Sequence, residues 1–142
     1  MVEKESTEKN IVAILPESSQ VSEESKLWSV LSHISMGIVG IIVVFGGVQS
    51  IKGNRFNFIH AINSIVNGVL ATIVIVIWQL IYVGLGELMG PQSIYDTYWI
   101  VMIILIIVFF GGAFYSSIMA AQGKKSRIIW VYPIISRFFP DA

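Results

Sequence analysis

The sequence contains no cysteine. That excludes disulfides, a thiolate nucleophile and cysteine-ligated metal, and it removes any redox clue to a compartment. Charge is scarce as well. Asp, Glu, Lys and Arg make up 13% of the 142 residues, where a soluble domain carries about 25%. Nine bases balance nine acids, and they form no basic patch of the kind a nucleic-acid partner requires. What charge there is avoids three stretches, 27–51, 56–86 and 97–123. Each exceeds the ~20 residues that carry a helix across a hydrocarbon core, and a soluble domain of this size could not bury three of them. With 55% hydrophobic residues and a mean hydropathy of +0.77, the expectation is an all-α integral membrane protein. Its architecture reads as a compact bundle of three or four transmembrane helices, with an interfacial N-terminal helix and an amphipathic C-terminal tail.

Residues 1–21 are rich in Glu, Ser and Lys and read as a disordered tail, with 22–142 as one membrane-embedded helical domain. The tail does not read as a signal peptide. It mixes both charge signs, and its one apolar patch, Ile11 to Leu15, stops at Pro16, so insertion falls to the first hydrophobic segment. Ser22 suits a helix N-cap, with Glu23 and Glu24 in the first turn where the dipole favours negative charge. Leu27, Val30, Leu31 and Ile34 then share one helical face, with Ser29, Ser32 and His33 largely off it, and Trp28 suits a membrane–water boundary. The spans are expected at about 29–50, 57–85 and 97–121. The glycine-rich core of the first, "IVGIIVVFGGV", also admits a kinked or re-entrant helix. "SIKGNR" reads as a loop, and so does "GELMGPQSIYD", with Gly90-Pro91 as its turn. Tyr95, Tyr98 and Trp99 form an aromatic belt. The basic, aromatic tail 122–142 is expected along the membrane surface.

The second span opens with unusual chemistry. In "FNFIHAINSIVN" (56–67), Asn57, His60, Ser64 and Asn67 recur at helical spacing on one face. Ala61, Gly68, Ala71 and Thr72 extend that face, while Ile59, Ile62, Val66, Val69, Ile73 and Val76 make an opposite, lipid-compatible side. Polar groups turned to acyl chains lose their hydrogen bonds, so this face must meet protein or water. His33 is the natural partner of His60, being the only other histidine. Three readings stay open: hydrogen-bonded glue between helices, the lining of a polar path or proton relay, and a metal site. Two histidines with no Asp, Glu or Cys nearby are a thin set beside zinc's usual three or four protein ligands.

In the third span Gly112, Ser116 and Ala120 recur every fourth residue, and Ala113, Ser117 and Ala121 repeat the pattern one position along. Such a double ladder lets another helix approach closely, whether the second span or a second protein. No phosphate-binding glycine loop, nucleophile elbow or zinc-protease motif is present, and no carboxylate lies within a span. A non-enzymatic protein without cofactor or bound metal is expected.

Several short motifs resemble those of a family of small prokaryotic membrane proteins related to the Tic-type import component of the chloroplast inner envelope. "FNFIHAINSI" is similar to its F-x-x-x-H-A-x-Q-S signature through Phe56, His60, Ala61 and Ser64, with Asn63 at the usual glutamine. "LWSVLSHIS" matches a W-x-x-L-x-H segment through Trp28, Leu31, His33 and Ile34, and "YPII" at 132–135 resembles a closing tyrosine–proline motif. The resemblance covers residues 27 to about 137. It implies a bundle of about three or four membrane helices and, for the plastid relatives, a part in moving proteins across a membrane. It pairs His33 with His60 as family positions, so the candidate functional set is His33, Asn57, His60, Asn63, Ser64 and Asn67.

The leading expectation is a translocation or assembly subunit in the cell membrane, partnered by other membrane-protein subunits or by copies of itself. The alternatives are a small-solute or ion transporter lined by the polar face and, more remotely, a metal-binding membrane enzyme using His33 and His60. With three spans, the distribution of Lys and Arg places the amino terminus outside and the carboxyl terminus in the cytoplasm.

Overall fold

The computed structural model of the chain describes residues 21–46 and 54–138. Nearly all of the tail expected to be disordered, and most of the Ser50–Arg55 loop, lie outside the described residues. Within them the chain is all helical: α1 Glu23–Ile34, α2 Ile38–Phe45, α3 Arg55–Met89, α4 Pro91–Ala121 and α5 Tyr132–Phe138. Two helices, α3 and α4, are long and apolar enough to cross a membrane. At 35 and 31 residues they run about 50 and 45 Å.

The first uncharged run departs from the span expected at 29–50. Its helix stops after Ile34, and Ser35, Met36 and Gly37 separate α1, of 12 residues, from α2, of 8. At ~1.5 Å per residue neither piece reaches across a hydrocarbon core. The break is made by backbone conformation: Met36 and Gly37 both take positive φ, 52° and 99°, a region that ends a right-handed helix. The start of α1 follows the expectation, with the Ser22 hydroxyl accepting the Ser25 N–H at 3.2 Å ahead of Glu23 and Glu24.

The loop expected over Gly86–Asp96 is also absent. Helix α3 continues to Met89 and α4 begins at Pro91, leaving Gly90 alone between them at φ 86°. Proline tolerates the first helical position because its missing N–H has no intrahelical partner there, and glycine tolerates the left-handed turn. The Gly-Pro signal marked the turn correctly. The polar residues around it simply extend both helices.

Packing is concentrated at the end of the hairpin opposite Gly90. The residues of α3 that are buried run only from Asn57 to Ala71. Those of α4 from Phe109 onward are Phe109, Ala113, Ser116, Ser117 and Ala120. Helix α1 packs against both α3 and α4, and α2 against α3. The tail, expected along a surface, instead tucks Ile128, Val131 and Ile135 against Ile62, Val66 and Leu70 of α3. The near half of the supposed lipid-facing side is thereby covered, while Val69, Ile73 and Val76 stay exposed.

Candidate functional site: the buried polar stripe

The interior of this fold mixes polar with apolar side chains, and its exterior carries many large apolar ones. Among the described residues twelve polar side chains are buried, including Ser25, Ser29, Ser32, His33, Asn57, His60, Asn63, Ser64 and Asn67. Leu27, Leu31 and Ile34, on the apolar face of α1, are exposed instead. The amphipathic pattern of α1 is thus turned inside out relative to a soluble helix.

Each polar residue of the stripe meets a different piece of chain. The Asn54 side chain caps α3 by accepting the Phe56 N–H, and its amide donates to Ser25 Oγ at 2.9 Å. One turn deeper, Ser29 Oγ donates to Asn57 Oδ1 at 2.9 Å. Next come the histidines, with His33 Nε2 2.9 Å from His60 Nδ1 and the rings nearly perpendicular. Phe56 lies against the His60 ring, with centroids 4.5 Å apart. Deeper still, Gly37 and Gly40 of the broken segment press against Ile65 and Ala61: a Cβ on Gly37 would sit 2.7 Å from Ile65 Cα, and one on Gly40 2.9 Å from the Ala61 carbonyl oxygen. A Cβ on Gly68 would collide with the carbonyl oxygen of Met36. The sequence Ser25, Ser29, His33, Met36 therefore tracks Asn54, Asn57, His60, Gly68, and α1 runs parallel to α3.

The proton positions of the histidine pair follow from their partners. His60 Nε2 lies 3.1 Å from the carbonyl oxygen of Lys124, which can only accept, so that nitrogen carries a hydrogen. In the neutral ring Nδ1 is then bare and accepts from His33 Nε2–H. The chain of bonds is His33 to His60 to Lys124. At its head, His33 Nδ1 is buried without a partner, and so is the amide nitrogen of Asn57. The first is an acceptor and the second a donor.

Asn67 is the deepest member and the most connected. Its amide donates to the Phe109 carbonyl at 3.3 Å and approaches Met36 Sδ at 4.0 Å, and its Oδ1 accepts Trp130 Nε1–H at 2.9 Å. One side chain thereby joins α3 to α4, to the break in the first segment and to the tail. Asn63 and Ser64, by contrast, bond back to their own helix, at the Ile59 and Ala61 carbonyls. The stripe thus divides. His33, Asn57, His60 and Asn67 bridge segments; Asn63 and Ser64 do not, although Ser64 lies beneath Gly40. Among the described residues, no group of three or more His, Asp or Glu comes together in a metal-binding arrangement.

The small-residue ladder of α4 also divides. Ala113, Ser116, Ser117 and Ala120 are buried, while Ala121 is exposed. The part of Gly112 is to let an indole in: a Cβ there would lie 2.6 Å from the Trp130 ring, which also meets Phe109 edge-on. Helix α4 contacts α1 as well as α3, so the close approach serves the broken segment too. Sequence reasoning missed Trp130. The usable signal was a tryptophan in the basic tail, whose N–H needs a partner if buried.

No family profile, no curated protein and no solved structure matches this chain.

Proposed function

We propose that this is a polytopic membrane protein without catalysis of its own, serving as a subunit or assembly partner within a larger membrane complex. One observation carries the reading: a stripe of polar side chains is buried while large apolar side chains cover the outside, from Ile73 to Leu88 on α3 and from Trp99 to Phe114 on α4. Lipid accepts such a surface and water does not. The helix from Phe58 to Trp78 is about 30 Å long, matching a hydrocarbon core. Trp78, Tyr82, Tyr98 and Trp99 form one connected aromatic cluster at the level expected for the far interface.

The stripe supports a holding role over transport. Four of its six members spend their hydrogen bonds joining segments of the same chain, whereas a solute path would need them turned to an open lumen. The Tic-type resemblance, carried by Trp28, Leu31, His33 and Ile34, by Phe56, His60, Ala61 and Ser64 and by the motif at 132–135, agrees with an assembly or translocation role. The test is crosslinking in native membranes followed by affinity purification of the tagged chain. A reproducible membrane-protein partner, or a defined oligomer, is expected. A chain that stays monomeric and alone in native membranes and in mild detergent refutes the proposal.

A further inference from the structure

The elements are distributed unevenly along the α3–α4 hairpin. Ser25, Ser29, His33 and Met36 stand beside Asn54, Asn57, His60 and Asn67. The tail stands beside Ile62, Val66, Leu70 and Asn67. Helix α2 starts beside Ile65. Between Thr72 on α3 and Val108 on α4, through the Gly90 turn, Ile94 is the only described residue that is buried. Among the described residues, five helical elements therefore share the end marked by Arg55 and Lys124, and two share the end marked by Gly90. The dividing level is Gly68, where Met36 abuts α3. Gly68 is also halfway between Phe58 and Trp78, about 15 Å from each, which is the mid-plane of a hydrocarbon core of about 30 Å.

We propose that the molecule is a wedge whose broad end fits the convex leaflet of a curved bilayer. The inference rests on the membrane-embedded reading above and adds the shape of lipid surface that the chain prefers. Each helical element occupies a cylinder about 10 Å across. Three extra elements on one side of the mid-plane displace lipid from that leaflet only. A flat bilayer must then pack its two leaflets unequally, and one bent convex toward the broad end relieves the mismatch. The charges point the same way. Lys26, Arg55, Lys124, Lys125 and Arg127 all lie close in sequence to residues at the broad end, where anionic headgroups attract them. Among the described residues, the charges near the narrow end are Glu87 and Asp96.

The experiment reconstitutes the full chain into unilamellar vesicles of phosphatidylcholine and phosphatidylglycerol, either small and sonicated or large and extruded. Bound protein per lipid, and protease access to a carboxyl-terminal tag, are read on each. The wedge predicts a protein-to-lipid ratio about twofold higher on the small vesicles, since a preference shifts populations by its differential free energy. Most tags there should be accessible from outside. Equal density and equal orientation at both sizes overturn it. So does efficient crosslinking between copies through Leu80→Cys, because a second copy would fill the narrow half. Alkaline carbonate separates the two failures. A chain that is stripped from the vesicles overturns the membrane reading and the wedge with it, while one that stays inserted but ignores curvature overturns the wedge alone.

Discussion

At the scale of single residues, the stripe is a set of anchors, and Asn67 is the one on which most segments depend. Its amide and its carbonyl oxygen are used at once, by Phe109 and by Trp130, inside a core too apolar to offer substitutes. Asn67→Ala removes both bonds and leaves the N–H of the half-buried Trp130 without its acceptor. An unsatisfied buried group costs about 1–3 kcal/mol, somewhat less where the unfolded state in a membrane or micelle also finds partners. Thermal unfolding in detergent should show a loss of that size for Asn67→Ala, and a clearly smaller one when Trp130→Phe is already present, since the orphaned donor is then gone. Identical losses in the two backgrounds would mean that the Asn67–Trp130 bond carries no weight. The pairing of His33 with His60 was legible from the sequence because each is the other's only histidine. The partner of Asn67 was not. Nothing in a sequence period says that a tail read as superficial will return to the depth of Phe109.

At the scale of elements, helix type was the easily read quantity and helix continuity the hard one. Uncharged runs of adequate length announced α3 and α4, and the turn chemistry of Gly90-Pro91 placed their junction. The first run has the same composition as a span, and only its backbone tells it apart. Hydropathy measures what a segment tolerates around it, whereas the break at Met36–Gly37 depends on φ and on how closely α3 lets it approach. Gly37 meets both conditions, with φ 99° and a missing Cβ that would otherwise press on Ile65. Gly84 meets neither: it is helical and has nothing within reach. Gly37→Ala should therefore destabilise by about 2 kcal/mol or more through strain and overpacking. Gly84→Ala should be neutral or stabilise by up to about 1 kcal/mol through helix propensity. Unfolding of the two variants side by side checks the pair. A harmless Gly37→Ala would mean that the first segment is a continuous helix.

At the scale of the whole molecule, the broken segment changes which side of a membrane each end is expected to occupy. A count of three spans puts the amino terminus and the Lys124 region on opposite sides, with the amino terminus outside. The contacts favour a different arrangement. Ser25 touches Asn54 and His60 touches Lys124, so the entry to α1, the start of α3 and the exit from α4 all lie at one end, and Gly90 at the other. Lys26, Arg55, Lys124, Lys125 and Arg127 flank that shared end, while Glu87 and Asp96 flank the Gly90 turn. Bases close to spans are retained in the cytoplasm and acids count for little. The expected topology therefore has both ends of the helical domain cytoplasmic and the Gly90 turn outside. The absence of cysteine makes the measurement clean, because any thiol is an introduced one. In intact cells a membrane-impermeant maleimide should label Gln92→Cys at once, and should reach Ser22→Cys and Lys125→Cys only after the membrane is opened. Labelling of Ser22→Cys together with Gln92→Cys, and with Lys125→Cys protected, would restore the three-span arrangement: α1 and α2 would then have to straighten into one crossing helix, and the bonds from Ser25 to Asn54 and from His33 to His60 could not form in the membrane.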